Sequence, residues 1–205
     1  MKKTILAFLF TGIFAVQFLM ADSPITSTPF WEVFKSEKII RTTVHTSGLL
    51  TPELADFLIS DKNEISIKMA VINCLSWDIN GKTNSEYFLN YLIDKKIYLN
   101  KKEFKSKGDA DHLLCMAYLK AMDDYFELKE ALVWANLAIK KNSTSYTFAI
   151  IHGLIAAQAE FGDDWCKVYM YTHKVRINDN LKKDMREDAI EIIFEYMDMY
   201  ESSCQ

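Results

Sequence analysis

The stretch DHLLCMAYLKAMDDYFELKEALVWANLAIKKNSTSYTFAIIHGLIAAQAEFGDDWCKVYMYTHKVR, Asp111 to Arg176, decides the fold. Its apolar residues recur at helical spacing, without the alternation of a strand, and it contains no proline. It also repeats itself. A shift of 40 positions lays His112 on His152, Leu114 on Leu154 and Ala117 on Ala157, and Asp123-Asp124-Tyr125 on Asp163-Asp164-Trp165. A shift of 37 then lays Ala131 on Val168, Trp134 on Tyr171 and Ala138 on Val175, so the second turn is three residues shorter. A helix, a turn and a helix are therefore repeated. Each pair has to bury its apolar stripe against its neighbours.

Working outward, the same texture continues. The three prolines, Pro24, Pro29 and Pro52, all precede residue 53, and the glycines at 48, 81, 108 and 162 separate apolar-periodic segments. Nine helices are predicted: Phe30–Thr43, Pro52–Ile59, Glu64–Trp77, Ser85–Leu99, Asp111–Tyr125, Leu128–Lys141, Tyr146–Phe161, Asp164–Arg176 and Lys182–Tyr200. The expected fold class is all-α, a stack of antiparallel helical hairpins. At 50% apolar content, with 24 basic and 28 acidic residues, the chain is rich enough in apolar side chains to bury a core.

Residues 1–21 read as an export signal, leaving 22–205 as one domain. Lys2 and Lys3 precede an apolar run from Ile5 to Met20, and Ala21 offers the small residue that a signal peptidase needs. The run is shorter than a typical membrane span, and no second one follows. The expectation is a periplasmic or secreted protein, cleaved after Ala21 and without stable membrane insertion. Without Lys2 and Lys3 the acidic excess rises, which disfavours nucleic acid as a partner. Four cysteines follow: Cys74, Cys115, Cys166 and Cys204. Three of them lie in apolar helical stretches, so buried thiols are the leading reading and a disulfide the alternative.

Leu128 to Asn142, with Ala131 and Ala138 seven apart and Trp134 between them, resembles the second helix of a tetratricopeptide repeat. Leu50 to Leu75 is similar to a HEAT-type helix pair. Such a resemblance implies protein or peptide binding on a concave face and brings no catalytic residues.

The residues that carry chemistry give little toward an enzyme. No phosphate loop, nucleophile elbow or ordered Ser/His/Asp set is present, and no cofactor is expected. His112 and His152 fall at repeat-equivalent positions where a shared ligand is conceivable, but two histidines do not make a metal site. The Asp-Asp-aromatic segments suit helix caps better than calcium. Six lysines between Lys95 and Lys107 read as a solvated helix end, and the acidic stretch Asp184–Glu201 as a terminal capping helix. The function expected is non-catalytic binding of a protein or peptide by a face of first helices, with Tyr118 as leading anchor and His112 and His152 as secondary candidates. The alternatives are an inhibitor or immunity-type protein, or a small hydrolase using buried carboxylates.

Overall fold

Helices that are apolar on one side only can sit at a surface, whereas helices apolar all round have to be enclosed. Both kinds occur here, and their distribution sets the architecture. The computed structural model describes residues 23–204. The described chain is all-α, with ten α-helices: α1 (Lys38–Val44), α2 (Pro52–Ile59), α3 (Ile65–Leu75), α4 (Asn84–Asp94), α5 (Lys101–Lys107), α6 (Ala110–Asp123), α7 (Lys129–Lys141), α8 (Tyr146–Ala159), α9 (Trp165–Arg176) and α10 (Glu187–Met197). Short 3-10 helices cover Phe30–Phe34 and Asp198–Cys204. The expected export signal lies outside the described residues.

α3, α6 and α8 form the centre. In each, buried residues occur on every side, from Leu113 through Leu119 in α6 and from Gly153 through Gln158 in α8. All three touch one another. They run parallel: Lys68 near the start of α3 bonds Asp111 at the start of α6, and Asn73 further along α3 bonds Tyr118 further along α6. α7 and α9 return antiparallel, closing the hairpins α6/α7 and α8/α9. Gly153 permits one close approach, because a Cβ there would stand 3.0 Å from the Tyr171 carbonyl oxygen of α9.

Turn chemistry explains the joints. Asp124 accepts from the Phe126 and Glu127 amides and Asp164 from the Lys167 amide, so these aspartates are turn and cap residues. Asp123 works between elements: its carboxylate accepts from the Asn84 and Ser85 amides and caps α4 from across the bundle.

Four details depart from the sequence reading. The predicted first helix breaks at Glu37, whose extended backbone separates the 3-10 turn from α1. The lysine-rich segment predicted as a helix end forms the separate helix α5, capped by Asn100 and anchored by Phe104, which stacks between Tyr98 and Trp134. The repeat register also differs. The caps Asp109 and Ser145 lie 36 positions apart, so a 40-residue shift displaces the first helices by about one turn. Finally, α10 does not end an open stack, since it packs on the N-terminal 3-10 helix, with Arg186 over the Phe34 ring.

Cysteine use is corrected as well. Cys166 and Cys204 form a disulfide that pins the C-terminal 3-10 helix to α9, while Cys74 and Cys115 are free thiols, Cys115 buried. In the terminal segment after α10, Tyr200 packs against the core while the flanking residues are exposed. Closing a span of this length contributes about 4 kcal/mol on the chain-entropy model. Cys204→Ser is expected to lower the unfolding free energy by up to that amount. Thiol titration of the unreduced, denatured protein should find two free thiols, and four would contradict the assignment.

Candidate functional site

Tyr118, the leading anchor of the sequence reading, is wholly buried. Its ring stacks near Phe30, and its hydroxyl accepts from the Asn73 amide at 2.8 Å. Asn73 also donates to the Thr28 carbonyl and accepts from the Trp31 amide, so one side chain of α3 ties α6 to the N-terminal segment. Burial pushes the Tyr118 phenol well above its usual range. The face of first helices expected to bind a partner is likewise enclosed, because α6 and α8 are the centre of the core.

His112 and His152 are not brought onto one surface by shared partners. His152 donates from Nε2 to Asn136 Oδ1 on α7, and burial holds its pKa below the usual value. His112 is buried, with both ring nitrogens engaged: Nε2 lies 3.0 Å from the Ile59 carbonyl oxygen and Nδ1 3.0 Å from the Tyr98 hydroxyl. A carbonyl can only accept, so Nε2 carries the proton. The Tyr98 oxygen accepts from the Asp109 amide at 2.8 Å and gives its own proton to Nδ1. With both ring nitrogens engaged, His112 offers no free nitrogen to a metal. Among the described residues no group of three or more His, Cys, Asp or Glu is placed to hold a metal ion.

The His112 chain forms the back of a cleft that the sequence reading missed. A cavity of about 500 Å3 opens at the amino end of α6, walled by Ile59 and Ile97 and bordered by Asp61, Asp109, Asp111 and Lys68. Lys68 is the unusual member. Its side chain is 1% exposed, and its ammonium meets Asp111 Oδ2 at 2.8 Å. The only signal for it in the sequence is a lysine inside the apolar run Ile65–Leu75. Cap geometry accounts for Asp109, whose side chain accepts from the Asp111 amide.

At the other end of the bundle the carboxyl ends of α3, α6 and α8 carry aromatic residues. Trp77 meets Tyr125 edge to face at 4.9 Å, and Tyr125 meets Phe126 at 4.2 Å. Gln158 of α8 donates to the Tyr125 carbonyl, which joins this pair to the next turn. There Phe161 packs on Trp165, which stacks on Tyr200 at 5.5 Å. Phe126 is 74% exposed, Ile79 64% and Trp165 41%.

The lysine segment holds no concerted cationic site. Lys101 pairs with Glu130, Lys107 with Glu103 and Lys95 with Asp56, while Lys105 lies over the Trp134 ring. No helix among the described residues is long and apolar enough to cross a membrane. No family model matches the chain, and neither the curated proteins nor the solved structures give a match.

The Lys68–Asp111 pair gives an asymmetric expectation. Removing the carboxylate strands a buried ammonium, which costs roughly 3–5 kcal/mol, whereas replacing the lysine by an apolar side chain of similar shape is close to neutral. In urea unfolding, Asp111→Ala should therefore be clearly destabilised and Lys68→Met much less so. Equal losses would contradict the burial assigned to Lys68.

Proposed function

We propose that the protein is an exported, non-catalytic binding module that holds a protein or peptide partner against the aromatic end of its bundle. The observation that carries this reading is the row from Ile79 and Trp77 through Tyr125 and Phe126 to Phe161 and Trp165. Solvent exposure of large apolar side chains in one region, placed on turns held by a rigid core, is what a docking surface requires. Tyr and Trp also concentrate binding energy, because they bury much area with few rotatable bonds. Phe126 in particular makes no contribution to the buried core that would account for its size. The Cys166–Cys204 disulfide supports export, since such bonds persist in oxidising compartments.

Phe126→Ser and Ile79→Ser alter well-exposed side chains, so the double variant should keep its helical circular dichroism. Captured on immobilised protein from a cell-envelope extract, a partner should be lost or reduced at least tenfold with this variant. Hydrogen exchange of the complex should show protection at 77–80, 125–127 and 161–165. Undiminished capture by the variant, or protection confined to other elements, would refute the proposal.

A further inference from the structure

The cleft at the amino end of α6 stands at the opposite end of the central helices from the aromatic row, and its chemistry is different. Three carboxylates, Asp61, Asp109 and Asp111, border it against one ammonium, Lys68, while both ring nitrogens of His112 are already hydrogen-bonded. The excess of negative charge favours a cationic ligand and repels a simple anion. Metal ions are a poor fit, because no three suitable donors converge among the described residues.

Lys68 adds a second requirement. An ammonium has three N–H donors, and here one of them is taken, by Asp111. The other two have no acceptor among the described residues, although the side chain is almost entirely enclosed and borders the cleft. A ligand that satisfies this wall therefore carries an oxygen acceptor close to its positive charge. Ile59 and Ile97 supply apolar surface beside these polar groups, and the volume falls in the range of about 300–1,000 Å3 typical of small-molecule sites. The chain from Asp109 through Tyr98 and His112 to Ile59 fixes the cleft between three elements before any ligand arrives, which lowers the ordering cost of binding.

We infer that this cleft binds a ligand with a primary ammonium next to an oxygen acceptor, the chemistry shared by a free α-amino acid and the amino terminus of a peptide. The ammonium pairs with the exposed carboxylates Asp61 and Asp109 at the rim of the cleft. The adjacent oxygen accepts from Lys68, and an aliphatic side chain rests on Ile59 and Ile97.

Titration calorimetry of the intact protein with three probes tests this: L-leucine, the tripeptide Leu-Ala-Ala, and the same tripeptide N-acetylated. At least one free-amine probe should bind saturably, and acetylation should weaken the tripeptide at least tenfold. Leucine binding as tightly as the tripeptide assigns the site to free amino acids, and tripeptide binding alone assigns it to peptide termini. Asp109→Asn retains a helix-capping side chain and should weaken free-amine binding at least tenfold, as should Asp61→Asn at an exposed position. Lys68→Met should weaken it too while the helical circular dichroism is kept. Equal binding of the acetylated probe, unchanged affinity in both aspartate variants, or no saturable binding of either free-amine probe would overturn the inference. Because Phe126 and Ile79 lie at the other end of the bundle, their variants should leave this binding unchanged.

Discussion

Three parallel helices bury residues on every side, and the rest of the structure follows from sheathing them. α6 and α8 are the extreme cases: in each, eleven of fourteen residues are buried. Burial of apolar surface contributes about 25 cal/mol per Å2, so even one exposed face on such a helix would be costly. The amphipathic helices α4, α7 and α10 therefore lie outside, with their polar faces in solvent, and α10 meets the N-terminal 3-10 helix to complete the enclosure.

The polar groups drawn into this interior are matched. Asn73 serves three partners at once, and Thr147 donates from both its amide and its hydroxyl to Asp184. Among the described residues no buried side-chain nitrogen or oxygen lacks a hydrogen-bond partner. An unmatched buried donor or acceptor costs about 1–3 kcal/mol, so the satisfied network helps to fix a single packing of the three helices. Lys68 stands apart because its charge is balanced by Asp111 and yet its donors are not used up.

Helical periodicity made the all-α class and most helix positions legible, since it records only which residues seek apolar surroundings. It could not say which helices lie inside. The signal was present, however: α8 has apolar residues around its whole circumference, and that distribution, more than the repeat itself, marks an enclosed helix. Tyr118 is enclosed although it was expected on a binding face, because a position within a repeat carries no information on which neighbour covers it. α5 was readable from Asn100 and Glu103, which stand at capping-box spacing before Phe104. The cleft was not readable, as it joins Ile59, Tyr98 and His112 from segments far apart in the chain. Likewise, nothing local distinguishes the cysteines that pair from those that do not.

Native-state hydrogen exchange tests the enclosed three-helix core most directly, because amides deep in the core open only with global unfolding. The account expects the slowest exchange to be shared by the central turns of α3, α6 and α8, at a free energy equal to that of global unfolding, with α4, α5 and α10 exchanging faster. If α6 or α8 exchanged as readily as the outer helices, these first helices would be open to solvent and the enclosed core would be wrong.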